Sequence, residues 1–415
     1  MEVEEPPPGA NVFITSDTSK FYKSKLGGKK ILLSPETDEF TPPPGLKTDK
    51  GFKRLGVLNP ALIQHNDDPS RITLFPRLIY TDDASKRLAN ITDKKPQNSC
   101  ILKLEARLNE GEVDVFEGEE VAFQAQPLHG VKGLEDLRIA RVEGEEVIHG
   151  LVVFYNGFDA RTGYLRTPCN DPINFSKWED FGIFFPNISA KKAIELTTDK
   201  DYKLSWVKNF GSLAKERLLS EGKFFPKEPF LSVKDCAPYP KRIINPLNPC
   251  SDWLHYGLIT RFFPDIQMIP IKSWEDLARK EFWEETIPVL QSFDLIKKVY
   301  SWEQSHIGLA GPPQETSSGV LMRYHGANMD PIRDYKAGAV LLDLNNPYNI
   351  LARTKKPYLE ATEPWERDGV ESGNIVFPTG AVTHQGVVHE FYGAGDKFVG
   401  HTTFLQDSFL KTLFD

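Results

Sequence analysis

The segment 131–142 carries the residue types that acid–base chemistry would need. Glu135 and Asp136 are adjacent, and Arg138 follows at the start of a run of β-type residues. An acid and a cation at the entrance of a strand are costly to bury unless they face water, each other or a ligand. A solvated turn with a surface ion pair is one explanation. The other is a carboxyl group whose pKa is raised by its neighbour, so that it stays protonated as a general acid must.

The backbone geometry of a strand argues against direct coupling of these two carboxyl groups. Neighbouring strand residues point to opposite faces of the sheet, so Glu135 and Asp136 need not interact at all. This segment alone favours the solvated turn, and the later segments change that balance.

The C-terminal third places polar and aromatic residues at the ends of strand-like segments. His325 follows Tyr324, Glu366 follows Trp365, and Asp396 closes a Gly-rich turn. Carboxylates accept hydrogen bonds from sugar hydroxyls, and aromatic faces pack against the C–H side of a sugar ring. The pattern favours a ligand with many hydroxyl groups. The structural alternatives are a core histidine at 325, a turn cap at 396, and an even balance between binding and packing for Glu366.

The composition is that of a globular protein with a sizeable core. Of 415 residues, 40% are hydrophobic and 26% charged, which fits one large β domain or two to three smaller ones. The net charge of −8 and the lack of a basic block argue against a nucleic-acid partner. The N-terminal segment is acidic, and no segment is long and apolar enough to span a membrane. The four scattered cysteines indicate a reducing, cytoplasmic location.

Short apolar runs separated by Gly, Asp and Pro predict an all-β sandwich, barrel or propeller from Asn59 onward. A weak repeat between segments 175–183 and 252–258 favours the propeller. Residues 1–50 are rich in Pro and predict an extended arm. Helices are expected at 212–219 and at 273–298, the second capped by Ser273 and kinked at Pro288. The aromatic stripe of the second helix is expected to pack against the β domain.

No cofactor site is predicted. His384 and His389 are expected on opposite faces of an extended strand, which argues against a metal site with His401. The Gly393-Ala-Gly395 sequence lacks the third glycine and the helix of a dinucleotide-binding motif. There is no G-x-S-x-G sequence and no catalytic cysteine context.

Five motifs in a fixed order carry a family resemblance. They are EDLR at 135–138, YHGA at 324–327, YKAGAVLLDLNNP at 335–347, NIVFPTG at 374–380 and YGAGD at 392–396. Together they resemble glycoside hydrolase family 130, over about residues 59–403 and poorly between 197 and 249. The resemblance implies a five-bladed β-propeller that cleaves β-mannosidic bonds, by phosphorolysis in most members and by hydrolysis in some.

The resemblance assigns roles to particular residues. Asp136 matches the family's catalytic acid, which is thought to act through a sugar hydroxyl, and Arg138 follows it as in the family. Inverting cleavage needs such a proton donor and a nucleophile on the opposite face of the sugar. The other matched residues are expected to bind sugar or phosphate oxygens. They are Arg77, Arg138, Arg161, Lys191, His325, Glu366 and Asp396.

One departure from the family bears on phosphate binding. Phosphorylases carry a His-Arg pair at a strand end, and this chain aligns there with Trp206-Val207. On that alignment the arginine is lost, which weakens a phosphate site by about 1.5–3 kcal/mol. Hydrolysis then competes and needs a carboxylate base, for which Glu195, Glu216 and Glu228 are candidates.

The sequence therefore predicts an all-β, five-bladed β-propeller at 51–415, with an N-terminal arm at 1–50 and helical insertions near 207–222 and 273–298. The predicted function is inverting cleavage of a β-mannosidic or related β-glycosidic bond, with Asp136 as proton donor. The expected partner is an oligosaccharide, with inorganic phosphate as co-substrate in the phosphorolytic version, no metal, and homo-oligomerisation left open. A carbohydrate-binding propeller without catalysis is the alternative.

Overall fold

The structure is a computed structural model that describes most of the chain. The described residues are 28–38, 41–46, 51–81, 98–116, 118–124, 133–142, 147–156, 159–168, 179–183, 188–209, 233–251, 254–367, 369 and 373–414. At 37–38, 98, 124, 133–135, 147–156, 159–168 and 179–183 only the backbone is described.

The described residues are mostly β-strands, which confirms the predicted fold class. The strands are β1 (Lys30–Leu33), β2 (Lys53–Gln64), β3 (Arg71–Thr81), β4 (Asn98–Asn109), β5 (Glu112–Val115), β6 (Glu120–Gln124), β7 (Gly133–Arg141), β8 (Val147–Asn156), β9 (Asp159–Pro168), β10 (Glu179–Ile183), β11 (Val233–Ile244), β12 (Leu254–Phe262), β13 (Asp265–Ile271), β14 (Asp294–Ile296), β15 (His306–Leu309), β16 (Gln314–Thr316), β17 (Gly319–Asn328), β18 (Asp334–Leu342), β19 (Ile350–Arg353), β20 (Asn374–His384), β21 (Val387–Ala394) and β22 (Phe398–Leu405).

The strands pair into antiparallel groups, as in a β-propeller. Among the described strands these groups are β2–β6, β7–β10, β11–β14, β15–β19 and β20–β22, which we number blades 1 to 5. The first strands β2, β7 and β11 contact one another in turn, β11 contacts β15, and β2 also contacts β20. The N-terminal strand β1 pairs with β22 and so completes blade 5. Part of the predicted arm is therefore a strand of the propeller.

The middle strands of the blades are buried on both faces because neighbouring blades pack against each other. All eight residues of β21 are buried, and so are the first nine of β17. Such strands appear in the sequence as apolar runs without strict alternation, as expected for a sheet covered on both sides. Burial between blades, not amphipathicity, holds these strands in place.

Short helices occupy the connections. They are α1 (Ala190–Leu196), α2 (200–209), α3 (Lys280–Thr286) and α4 (Gln406–Thr412), with 3-10 helices at Pro35–Asp38, Trp274–Ala278, Ile287–Phe293, Ser301–Glu303 and Pro364–Glu366. The helix expected at 212–219 lies outside the described residues. No described helix is long and apolar enough to cross a membrane.

The second insertion is helical over 274–293, as predicted, but it is broken into three pieces. Pro288 lies in the first turn of the last piece and Val289 leaves helical geometry, because proline cannot donate the hydrogen bond that continues a helix. The expected helix end at 298 is wrong, since Asp294–Ile296 pairs with β13 as a strand. Trp274 and Trp283 are buried in the core of blades 3 and 4, as expected for a packing stripe.

The predicted repeat between 175–183 and 252–258 is wrong. Segment 179–183 forms the fourth strand of blade 2, whereas segment 254–258 begins the second strand of blade 3. The two copies therefore occupy different positions in their blades.

Two buried histidines lie where the closing strand joins blade 5. His384 and His389 belong to the two strands of a hairpin, contrary to the single strand expected, and His389 Nδ1 lies 3.2 Å from His401 Nε2. His401 is in register with Lys30 of β1. Burial lowers the pKa of His389 to about 4 and holds the pKa of His401 well below its ordinary value, with Lys30 acting in the same direction on both.

These lowered pKa values predict that acid lowers the stability of the folded propeller, whose blade 5 contains both histidines. The unfolded chain binds protons at both histidines below a pKa of about 6.5, while the folded chain resists protonation until about pH 4 at His389. Stability is therefore full above the unfolded value and falls as the pH drops towards the folded value. We expect the melting temperature to fall over this range, and to fall less in His389→Gln and His401→Gln. Equal slopes for wild type and both variants would contradict this.

Candidate active site

Asp136 lies at a break in the first strand of blade 2. The register of β7 shifts between Glu135 and Arg138, and Asp136 has a left-handed backbone with φ of 48°. A bulge of this kind redirects a side chain, so simple alternation between the faces does not apply here. The Asp136 side chain remains 20% exposed. The Glu135 side chain lies outside the described residues, and the expected coupling of the two carboxyl groups stays a prediction.

Asn59 and Asp235 occupy the same position in blades 1 and 3. Asn59 has φ of 49° and Asp235 φ of 54°, and the registers of β2 and β11 shift beside them. Asn and Asp accept left-handed geometry better than other residues with side chains. Three first strands thus turn a short polar side chain out of the ladder at equivalent points, and the sequence analysis identified only Asp136.

Asp136 is held by blade 1. Asn59 Nδ2 donates a hydrogen bond of 2.7 Å to Asp136 Oδ1, and Arg77 Nη1 lies 4.0 Å from the same oxygen. Arg77 lies on β3 opposite Leu58, next to Asn59. No described residue donates to Asp136 Oδ2. The contacts therefore fix one oxygen and leave the other for a ligand.

Arg138 is a support beneath Asp136. It is 1% exposed and donates to the carbonyls of Leu309 and Ala310 at 3.0 and 2.6 Å. A third bond of 3.1 Å goes to the carbonyl of Asp136. These bonds join blade 2 to blade 4 and leave no accessible face on the guanidinium. The expected contact of Arg138 with phosphate or sugar is therefore replaced by a structural one.

Asp235 connects Arg138 to an arginine that the sequence analysis missed. Asp235 Oδ1 lies 3.4 Å from Arg138 Nη2, and Asp235 Oδ2 lies 3.1 Å from Arg261 Nε. Arg261 stands on β12 opposite Lys234, the position that Arg77 has in blade 1. The equivalence of these two registers, not a local sequence signal, identifies it.

His325 is buried in an aromatic cluster beside this carboxylate. Its Nε2 lies 3.7 Å from Asp235 Oδ2, and its ring centroid lies 4.6 Å from that of Phe377. Burial, with Arg261 and Arg138 nearby, holds the pKa of His325 well below its ordinary value. A buried, neutral imidazole matches the core alternative more closely than a direct sugar contact.

Asp396 and Arg333 form an ion pair between the turn after β21 and the start of β18. Arg333 Nη1 lies 2.9 Å from Asp396 Oδ2, and the two side chains are 28% and 21% exposed. The Arg333 guanidinium also lies over the Tyr335 ring, 5.1 Å from its centroid. Both charged groups are accessible to a ligand, which keeps the predicted role of Asp396 open.

Three other predicted residues are placed differently. Glu366 is fully buried and is bound by Lys29 at 2.8 Å, by Tyr392 and by two backbone N–H groups, so its position is that of a packing residue. Lys191 is exposed on α1. Arg161 lies on β9 opposite Phe154, with its side chain outside the described residues.

The strand expected around Trp206 is wrong. Residues 200–209 are helical, and Trp206 is fully buried with its Nε1 donating 2.8 Å to the Phe263 carbonyl. Trp206 therefore does not occupy the place of a histidine at a strand end. In blade 3 an arginine, Arg261, stands one residue before the end of β12 and follows Thr260.

A separate cavity of about 440 Å³ lies further along the first strands. Its lining includes Gln64, Arg141, Gln314 and the segment 379–382. Asp136 and Ala140, on one strand, are separated by about 13 Å at 3.3 Å per residue, and Arg138 lies between them. None of its lining residues belongs to the Asp136 group, by which we mean Asn59, Arg77, Asp136, Asp235 and Arg261.

Asp136 provides one accessible carboxyl oxygen among guanidinium groups. Asn59 and Arg77 lie on one side of it, and Asp235 lies nearby with Arg261. Such a site can transfer a proton to a leaving oxygen and bind sugar hydroxyls or an oxyanion. No group of three His, Cys, Asp or Glu suited to a metal ion occurs in the part of the chain that the structure describes.

Comparisons with known proteins agree with the motifs. Residues 275–413 match the family model of glycoside hydrolase family 130, described as beta-1,4-mannooligosaccharide phosphorylase. A 1,2-beta-oligomannan phosphorylase of Thermoanaerobacter sp. (strain X514) is 31% identical over 40% of this chain and 49% of that protein. The chain thus spans about half the length of this curated relative.

A second relative is aligned over most of its length. The beta-1,2-mannobiose phosphorylase of Listeria innocua is 24% identical over 84% of this chain and 88% of that protein. The solved structure of a beta-1,2-mannobiose phosphorylase from Listeria innocua, in complex with beta-1,2-mannobiose, has a TM-score of 0.58 at 18% identity and covers 91% of this chain and 97% of that one. The family-model match over residues 275–413 thus supports glycoside hydrolase family 130 as the family of this chain, and the solved structure shares its fold.

Proposed function

We propose that the protein cleaves β-mannosidic bonds with inversion, and that Asp136 donates the proton. The observation that carries the proposal is Asp136 Oδ2, to which no residue in the described part of the chain donates a hydrogen bond. Asn59 donates to Oδ1, so a proton on Asp136 resides on Oδ2, the oxygen that no described residue contacts. That arrangement aims the acid at a ligand and fits proton transfer through a sugar hydroxyl to the leaving oxygen.

The attacking group in our proposal is inorganic phosphate. Trp206 is a buried helical residue, so the alignment in which the phosphate-binding arginine was lost does not hold. Arg77 and Arg261 stand at equivalent positions of two blades. Two partly exposed guanidiniums favour binding of a dianion. The names of the relatives, mannobiose and oligomannan phosphorylases, point the same way.

Hydrolysis is the competing version of the same reaction. It needs a carboxylate that activates water on the face of the sugar opposite the acid. Glu195 is exposed on α1, and Glu216 and Glu228 lie outside the described residues. The proposed setting is a reducing, cytoplasmic one, in keeping with Cys100, Cys236 and Cys250, none of which is disulfide-bonded among the described residues.

Phosphate dependence tests the proposal. We expect β-1,2-mannobiose, with β-1,4-mannobiose as the second substrate, to yield mannose 1-phosphate only when inorganic phosphate is present. The measurement is product analysis with and without phosphate at equal enzyme concentration. Free mannose at the same rate in both reactions would establish hydrolysis, and no product from either substrate would contradict the mannoside assignment.

A further inference from the structure

We propose that Asp235 is a positioning residue that sets the guanidinium of Arg261 for binding the group that attacks the sugar. The inference rests on the proposed function and adds a residue that none of the sequence motifs contains. Asp235 is 5% exposed, so it acts through its neighbours and not by touching the substrate.

Arg261 is held at one end of its guanidinium group. Arg261 Nε forms an ion pair with Asp235 Oδ2 at 3.1 Å, and no described residue forms a hydrogen bond or a second ion pair with this guanidinium. The side chain is 14% exposed, so the two Nη groups remain for a ligand. A guanidinium anchored through Nε presents the Nη pair as a rigid fork, which suits the paired oxygens of an oxyanion.

Asp235 also links three blades. Asp235 lies on blade 3, its partner Arg138 on blade 2 and His325 on blade 4. Arg138 in turn bonds to the backbone of Asp136 at 3.1 Å. The Asp235 carboxylate thus connects Arg138, which supports Asp136, to Arg261. It thereby fixes the distance between these two arginines.

The space around the Asp235 carboxylate is also restricted. Asp235 has left-handed backbone geometry, which is costly for a residue with a side chain. A Cβ on Gly308 of blade 4 would overlap both Asp235 Oδ2 and the His325 ring. The neighbouring blade therefore accommodates Asp235 only through glycine, and this packing fixes the position of the carboxylate.

Asp235→Asn tests the inference. The amide keeps the shape but replaces one acceptor oxygen with an NH₂ group that faces a guanidinium donor. We expect kcat/KM for β-1,2-mannobiose to fall about 10- to 100-fold, the loss that corresponds to a hydrogen bond with a charged group. In the phosphate-dependent reaction, the KM for phosphate should rise more than that for mannobiose. A crystal structure of the variant should show Arg261 displaced.

Glu390→Gln is the matched control. Glu390 is also a buried carboxylate, 2.7 Å from Arg323, and it contacts none of the Asp136 group among the described residues. We expect it to lower the melting temperature without changing the ratio of the two KM values. If Asp235→Asn does not fold, Arg261→Lys replaces it, because lysine lacks the Nη pair, and the same change in KM ratio is expected.

The outcomes separate this inference from the proposed function. Wild-type kinetics in Asp235→Asn or in Arg261→Lys, or losses that match those of Glu390→Gln, would overturn the positioning role. If the wild-type protein cleaves no mannoside, the proposed function fails, and the crystal structure of Asp235→Asn still decides: an unmoved Arg261 overturns the inference, and a displaced one supports it.

Discussion

Asp136→Asn abolishes most of the mannoside cleavage while leaving the fold intact, if Asp136 is the proton donor. Removal of a general acid costs about 100- to 10,000-fold in rate, and we expect a fall of kcat in that range. The asparagine oxygen can still accept the bond from Asn59, so the change in melting temperature should be small. The measurement is kcat and KM on β-1,2-mannobiose beside a thermal melt.

The same variant separates an enzyme from a carbohydrate-binding propeller. A binding protein has no need of an acid, and its affinity for the mannoside would survive the substitution. We therefore expect Asp136→Asn to bind β-1,2-mannobiose with near wild-type affinity by calorimetry while turning it over far more slowly. Full activity in the variant would remove Asp136 from the mechanism. Binding by a wild-type protein that shows no turnover would establish the binding alternative.

The fold class was accessible from the sequence because it depends on local patterns, and one motif suggested the proposal that Asp136 is the acid. Short apolar runs with Gly, Asp and Pro between them define strands, and the order of the C-terminal motifs indicated the family. Asp136 was found because an acid and an arginine stand together in one motif. In each case the signal is contained in a few consecutive residues, so no knowledge of the three-dimensional contacts was needed.

The rest of the site depends on contacts between blades. Asn59, Asp235 and Arg261 come from strands far apart in the chain, and their equivalence follows from bulges and registers that composition does not encode. Arg138 illustrates the opposite error. Its place in the motif suggested a ligand contact, but its hydrogen bonds to blade 4 bury it. Trp206 was misplaced because a poor alignment was extended through a helix.

Gly393 makes the position of the Asp136 side chain depend on a neighbouring blade. Gly393 lies on β21 of blade 5, and a Cβ there would overlap Asn59 Oδ1. We expect Gly393→Ala to displace the Asn59 amide and so release Asp136 Oδ1, because the buried strand leaves the methyl group no other space. The loss of a hydrogen bond to a charged group lowers kcat/KM by about 10- to 100-fold.

Gly338→Ala provides the comparison that isolates this effect. Gly338 is also a buried strand glycine, and its Cβ would lie 2.6 Å from the Trp302 and Tyr324 rings, which do not contact Asn59 or Asp136. Both variants should lower the melting temperature, since each overpacks a buried strand, but only Gly393→Ala should reduce kcat/KM beyond its effect on stability. Equal kinetics in the two variants would mean that Asn59 does not hold the acid. A selective loss in Gly393→Ala would show that blade 5, through one absent methyl group, sets the position of the proton donor on blade 2.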